Sequence, residues 1–345
     1  MIDDKTVVMF PARQNKADNP YLHILTSALA QAETRVVPFS PWQWSQPTEV
    51  FHIHWLEAFT WNRFAKRSMI ARRILAERIL DHARAVARRG GKVVWTAHNI
   101  APHDGFRDDP VFRAFSEEML ELITDVISMS RPAQAALIDR YPQLAKVRHE
   151  VIPHPHYRQY FEGLDTHTPE SCEAASALDG RLLLVFGMIR PYKRVPEIVE
   201  AFRGLQGQNR MVILGGGHED ECARVRDAMQ NDPRIDFRQG RYEDAQLRDL
   251  LRRADLSVFN FDNILNSGSV LTALSLSCPV IAPSHDVLLE LRDEVGGEWM
   301  QLFEGSLTAE AIRCSLETPR VAQTPDFSAS DPAVIAHKHA ELYFG

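Results

Sequence analysis

No run of eighteen apolar residues occurs in this sequence, so nothing in it reads as a membrane-spanning helix. Its opening, "MIDDKTVVMF", places acids where a secretory signal needs a basic start and a long apolar segment, and the protein is expected to stay in the cytoplasm. Cysteine is scarce: Cys172, Cys222, Cys278 and Cys314 stand apart, without metal-type or redox-type spacing, and are expected to be reduced and mostly buried. The net charge of −7 lacks the positive excess of a general nucleic-acid binder, so no nucleic-acid partner is expected. The dinucleotide fingerprint is missing, because "GGG" at 215 to 217 is followed by "HED". With no P-loop either, a dehydrogenase or an NTPase is disfavoured. Short-period repeats and low-complexity tracts are absent.

What is there suffices for two ordinary domains: 345 residues, 45% of them hydrophobic. Short β-rich apolar runs alternate with helical segments throughout, the pattern of parallel sheets with crossover helices. The first half offers "TVVMF", "VFHIHW", "KVVWTAHN", "DVISMS" and "HEVIPH"; the second offers "RLLLVFG", "RMVILGGG", "RIDFRQG", "DLSVFNF" and "CPVIAPS". The expected fold class is α/β, with two doubly wound Rossmann-like domains. Residues 1–160 form the first, the polar stretch 161–180 a linker, residues 181–325 the second, and 326–345 a helix opened by Asp331 and Pro332 that packs back on the first.

Between residues 63 and 92 stand ten Lys or Arg against Glu77 and Asp81 alone. Ile70, Ile74, Leu75, Ile79 and Leu80 recur among them at helical spacing, which predicts an amphipathic helix with a basic outer face. That face is either a solvated surface or a docking face for an anionic membrane, where each cation adds roughly 1 kcal/mol of attraction.

In open parallel sheets ligands collect beyond the carboxyl ends of the strands, and the unusual polar clusters of this sequence fall there. Gly187 closes a strand, Arg190 and Lys193 follow, and a helix begins near Pro196. Two cations beside a helix N-terminus suit a phosphate or diphosphate. Asn266, Ser267, Gly268 and Ser269 precede another helix in the same half, a second anion cradle. The alternative for each is an ordinary capped loop.

Gly187, Lys193 and "EIVEAF", followed by "SGSVLTALSLSCPVIAP", resemble the C-terminal donor domain of GT-B glycosyltransferases, across most of residues 181 to 285. The resemblance implies two Rossmann-like domains facing a cleft, with a nucleotide sugar as donor substrate. It implies that Arg190 and Lys193 hold the donor diphosphate, and that Gln239, Gly240, Arg241 and Tyr242 line the nucleoside base. The large retaining families carry two Glu where this chain has Ile264 and Thr272. "NSGSVLTAL" instead resembles a bacterial exopolysaccharide subset that includes xanthan-type β-mannosyltransferases, which are inverting and use GDP-mannose with a polyprenyl-diphosphate-linked acceptor.

Inversion needs a base for the acceptor hydroxyl, while cations absorb the charge growing on the leaving diphosphate. No metal is then required of the site, and no cofactor. The base should come from the first domain. "WTAHNIAPHDGF" supplies Asp104 as first candidate and His103 as second; Glu57, past another strand, is the third. In relatives the residue at a position like His98 approaches the transferred sugar. Arg13, Asn19 and Tyr21, in the loop after the first strand, are acceptor-side candidates. The acceptor would be a lipid-linked saccharide, and the enzyme peripheral on the inner face of the membrane.

Three other readings stay open. The donor could be a UDP- or dTDP-sugar such as glucuronate or rhamnose. His52 and His54 share a strand face, and with His98, His103, His154 and His156 could form the metal site of a hydrolase. The chain could also be a noncatalytic nucleotide-sugar-binding partner.

Overall fold

The computed structural model describes residues 5–12, 19–42, 48–61, 65–66, 68–100, 109–164, 180–262, 264–319 and 323–345. The chain divides into two compact units, Met1–Pro155 with Ser328–Gly345, and His156–Phe327. The segment from His156 to Leu164 therefore goes with the second unit.

The first unit runs β1 (Thr6–Phe10), α1 (Pro20–Gln31), β2 (Arg35–Pro38), β3 (Val50–Ile53), a 3-10 turn (Leu56–Trp61), α2 (Met69–Ala87), β4 (Lys92–Thr96), α3 (Pro110–Leu122), β5 (Asp125–Ser128), α4 (Arg131–Arg140) and β6 (Arg148–Val151). Its six strands are all parallel, in the order β2-β1-β3-β4-β5-β6. The second unit runs α5 (Arg158–Glu162), β7 (Leu182–Phe186), a 3-10 turn (Pro191–Lys193), α6 (Val195–Arg203), β8 (Arg210–Gly215), α7 (Glu219–Met229), β9 (Ile235–Gln239), α8 (Asp244–Arg253), β10 (Leu256–Val258), α9 (Gly268–Ser275), β11 (Val280–Pro283), α10 (Asp286–Val295), β12 (Met300–Phe303) and α11 (Ala309–Glu317). Its strands are again parallel, in the order β12-β11-β10-β7-β8-β9. The last helix, α12 (Pro332–Phe344), returns to the first unit and packs against α1.

Strand alternation explains the layers. Phe51 and Ile53 of β3 face the core made with α2 and α3, where Phe59, Ile79, Phe115 and Met119 are fully or nearly fully buried. Val7 and Met9 of β1 and Val50 of β3 face the opposite core, made with Leu22, Leu25 and Leu29 of α1 and Ile335 and Leu342 of α12. Caps follow the sequence signals: Asn19 Oδ1 accepts from Leu22 N, and Asp331 from Ala333 N. Both precede a Pro in the first turn of their helix.

The basic helix corrects one expectation. Ile70 and Ile74, assigned by spacing to the buried stripe, are 72% and 45% exposed, whereas Leu75, Ala76, Ile79, Leu80, Ala83 and Val86 fill the core. Two of its arginines are structural: Arg72 pairs with Asp109 at the start of α3, and Arg84 bridges Glu77, Asp81 and Glu118.

Candidate active site

The order β12-β11-β10-β7-β8-β9 reverses direction at the β7/β10 pair, where crossovers leave to opposite sides and open a crevice at the carboxyl ends. Gly187 ends β7 with φ +99, a backbone conformation that L side chains rarely adopt. A Cβ placed there would lie 2.9 Å from Lys193 Nζ and 3.7 Å from Ser269 Oγ, so the two loops singled out in the sequence converge on this one glycine. They are also tied through the backbone. Asp262 N donates to Tyr192 O at 2.9 Å, and the Arg194 guanidinium reaches Asp262 Oδ1 at 3.3 Å. A small cavity lined by Phe186, Gly187, Lys193, Phe259 and Asn260 lies at this point.

Lys193 sits in the 3-10 turn, half-buried, and no carboxylate among the described residues lies within ion-pair reach. Burial, and then the Arg190 charge beside it, pull its ammonium down to about 8. Across from it Ser267 caps α9, its hydroxyl accepting from Val270 N at 3.3 Å. This first turn, with Gly268 and Ser269, offers free amides. Two like charges held together beside a helix N-terminus favour an anion with several oxygens.

The glycines at the end of β8 complete the crevice, and the sequence reading missed their purpose. A Cβ on Gly215 would collide with the Gly187 carbonyl, and one on Gly217 with the Ile189 carbonyl. The strand-end backbones pack face to face, with Gly187 N on Leu214 O at 3.0 Å and Ile189 N on Gly216 O at 2.9 Å. The signal was present in "GGG", which failed as a dinucleotide fingerprint and is required for close backbone approach instead. Gln239 and Gly240 are exposed at the end of β9, where the Gln239 carboxamide bonds Glu219 and Arg226 of α7. Tyr242 is half-buried, its phenol pushed up to about 12 by burial and by Asp244.

In the first unit the sheet reverses at β1/β3, and the carboxyl ends of β3 and β4 carry Glu57, His98 and Asn99. Glu57 is buried in the 3-10 turn. Burial raises its carboxyl above the usual range, against bonds from its own N–H and from Asn99 that lower it. His98 is buried, stacked on Trp55 at 4.0 Å, and its Nε2 lies 3.3 Å from His54 Nδ1. Burial, then the charges of His154, His52 and His339, hold its imidazole well below the usual value, so it is neutral at neutral pH. The Tyr21 ring stands edge-on to His98 at 4.8 Å, and the Asn19 carboxamide oxygen is occupied by the α1 cap. Arg13, His103 and Asp104 lie outside the described residues.

The described histidines do not assemble a metal site, and His103 lies outside the described residues. His52 has both ring nitrogens engaged, Nδ1 with Tyr343 Oη at 2.6 Å and Nε2 with Thr96 Oγ1 at 2.7 Å, while His54 and His98 bond each other. Among the described residues no group of three His, Cys, Asp or Glu is placed to hold an ion. His156 belongs to the second unit.

The family description "Glycosyl transferases group 1" matches residues 180–316, the unit that holds Gly187, Lys193 and Ser269. The GDP-mannose:glycolipid 4-beta-D-mannosyltransferase of Xanthomonas campestris pv. campestris is 30% identical over 98% of this chain and 91% of its own length. The chain is a group 1 glycosyltransferase.

Solved structures agree on the fold of this glycosyltransferase. HepE of Anabaena, in complex with UDP, has a TM-score of 0.57 at 16% identity and covers 98% of this chain and 95% of its own. A UDP-forming α,α-trehalose-phosphate synthase of Burkholderia xenovorans has a TM-score of 0.67 at 11% identity and covers 99% and 100%. The architecture is GT-B, with two Rossmann-like units. At the position where large retaining families carry an acid, the glycosyltransferase has Thr272, whose hydroxyl is turned onto its own helix at Gly268 O, 2.7 Å away.

Proposed function

We propose that this glycosyltransferase moves mannose from GDP-mannose, with inversion, to a polyprenyl-diphosphate-linked oligosaccharide in exopolysaccharide assembly. The observation that carries the reading is the convergence of Lys193 Nζ and Ser269 Oγ on Gly187 at the β7/β10 crevice. The name of the Xanthomonas relative supports the donor and the glycolipid acceptor. Lys193, Arg190 and the α9 N-terminus receive the diphosphate. An acceptor hydroxyl attacks C1 of the sugar, the bond from C1 to the diphosphate oxygen breaks, and the electron pair leaves with the nucleotide.

Lys193 and Arg190 supply the cationic charge that this leaving group needs, so the reaction requires no metal in this reading. Of the three base candidates, Glu57 has described surroundings that suit proton abstraction, because a buried carboxyl raised above its usual range takes the acceptor proton more readily than a solvated one. Asn99 orients it. Asp104 and His103 stay as competitors for the base, with Arg13, Asn19 and Tyr21 on the acceptor side and Gln239, Gly240 and Tyr242 toward the base of the nucleotide. The enzyme works at the cytoplasmic membrane surface through α2. Ile70, Arg73, Ile74 and Arg78 share one side of that helix, Arg88 and Arg89 follow in the turn at its end, and all six are exposed. No helix among the described residues is long and apolar enough to cross a membrane.

The test is transfer of labelled sugar from GDP-mannose, UDP-glucuronate and dTDP-rhamnose to lipid-linked oligosaccharide, with and without chelator. Label entering the lipid fraction from GDP-mannose alone, unaffected by chelator, is the expected result. Transfer from another donor removes the mannose assignment, and dependence on a divalent ion removes the cation mechanism.

A further inference from the structure

A cleft of about 480 Å3 lies between α2 and α3, on the outer side of the first unit. Its volume falls within the range of small-molecule sites, roughly 300–1,000 Å3. Its floor is apolar, made by Ala76, Leu80, Val111 and Phe115, with exposed Ile74 and Ala114 on its walls. From Arg73 to Leu80 it runs for about 10 Å at the helical rise. Both are crossover helices between parallel strands, α2 from β3 to β4 and α3 from β4 to β5, so their N-termini lie on the carboxyl side of the sheet, and the Arg73 and Pro110 end of the cleft opens toward the edge that carries Glu57 and Asn99.

The charges around the cleft are uneven. Its two acids, Glu77 and Glu118, are both held by Arg84, at 2.6 and 2.5 Å. Arg73, at the mouth, is exposed and pairs with no carboxylate among the described residues. The mouth is therefore cationic and the floor apolar. Exposed Met69, Ile70 and Ile74 continue the apolar surface outward from it. An extended peptide would bring N–H and C=O groups onto a floor without partners, whereas a hydrocarbon chain brings none.

We propose that this cleft holds the first part of the hydrocarbon chain of the lipid-linked acceptor, with the lipid phosphate at Arg73. The assignment rests on the glycolipid reading above. It makes Arg73 and the α2/α3 walls a lipid-binding site that would present the acceptor saccharide to the Glu57 edge.

A diazirine-bearing polyprenyl monophosphate in detergent micelles tests this with the full chain, without requiring turnover. Cross-links mapped to peptides containing residues 73–80 and 110–118 are the expected result. Ala114→Phe, at an exposed position, should lower them about tenfold, what losing the burial of roughly two methylene groups amounts to. GDP should still stabilise that variant as it does the wild type, which certifies its fold. Arg73→Gln should remove the preference for the phosphorylated probe over the matching prenyl alcohol. Labelling elsewhere, labelling between two copies of the chain, or labelling unchanged in Ala114→Phe overturns the cleft assignment. If the cleft labels as expected while transfer to lipid-linked acceptors fails, the glycolipid reading falls and the lipid site stands.

Discussion

Lys193 and Gly187 are neighbours by necessity: the ammonium occupies the space a side chain on residue 187 would enter, 2.9 Å from the ideal Cβ. Gly187→Ala therefore strains the backbone at φ +99 and displaces the lysine. Holding a non-glycine residue there costs about 1–3 kcal/mol. The expected outcome is a lowered melting temperature and a weaker stabilisation by GDP, read together in one thermal-shift titration. An alanine variant that binds GDP like the wild type would separate this glycine from the diphosphate.

The lowered Lys193 value sets a pH dependence for the donor. A bound diphosphate restores the ammonium, so above about pH 8 binding must draw in a proton. Affinity is full below about pH 8 and falls above it, by up to about tenfold per pH unit. The fold does not weaken over that window. The unfolded lysine keeps its proton to about 10.5 while the folded one has lost it, so stability rises there and falling affinity is not unfolding. Calorimetry in two buffers of different ionisation enthalpy should count the proton. Lys193→Ala should bind about 1.5–3 kcal/mol more weakly and show no such uptake.

Glu57→Gln should stop transfer while leaving donor binding intact, and should also stabilise the protein at neutral pH. Burial raises the folded carboxyl above its ordinary value, so the folded state holds its proton to higher pH than the unfolded one. Stability from this group is full below the unfolded value of 4.5 and declines as pH rises through the raised one. A neutral amide removes that decline and can keep a bond to Asn99. Melting temperature and single-turnover transfer, measured on the same preparation, check both halves. A variant that transfers normally moves the base to Asp104 or His103.

Much of this was legible because local chemistry and global fold agree. β1, β4, β7 and β8 are apolar runs ended by glycine or polar loops, and α12 carries its Asp-Pro start. β2 and β12 escaped the sequence reading because "RVVP" and "MQLF" are short edge strands with only partial burial, where one neighbour suffices and the alternation is weak. The convergence of Lys193 and Ser269 was expected from their placement at strand ends, but their common neighbour Gly187 depends on strand order, which sequence does not print. Ile70 and Ile74 misled for a related reason: helical spacing groups residues by side but does not say which side meets the sheet.

Buried histidines should make the first unit sensitive to acid. His339 of α12 is 1% exposed, with Nδ1 on Ile335 O at 2.8 Å and Nε2 without a partner, and its ring lies 5.9 Å from that of His52. Burial lowers its value to about 4. The unfolded chain takes up the proton near 6.5, so stability is full above that and is lost as pH falls from 6.5 toward 4, by about 3 kcal/mol for this residue. Urea midpoints measured across that window should fall steeply in the wild type. His339→Leu, which keeps an apolar volume in place, should flatten the slope by about that amount, and an unchanged slope would place the acid sensitivity elsewhere.

The arginines of α2 and of the turn that ends it divide into two groups with opposite phenotypes. Arg73, Arg78, Arg88 and Arg89 are exposed and pair with no described carboxylate, so their charge is available to a surface. Replacing all four with Gln should cost about 4 kcal/mol of attraction to anionic vesicles at low salt, about a thousandfold in partitioning, with the melting temperature kept. Arg72 is different. It pairs with Asp109, whose other oxygen caps α3 through Val111 N at 2.8 Å and Phe112 N at 3.2 Å, and its own Nε bonds Ala65 O at 2.7 Å. Arg72→Gln should therefore lower stability by about 1–2 kcal/mol, since the pair is partly screened by solvent, and should leave vesicle partitioning nearly as it was. Co-sedimentation with vesicles containing anionic lipid, set beside thermal melts of both variants, separates the groups. Wild-type protein that never sediments with such vesicles removes the membrane face, and the free arginines are then a solvated surface.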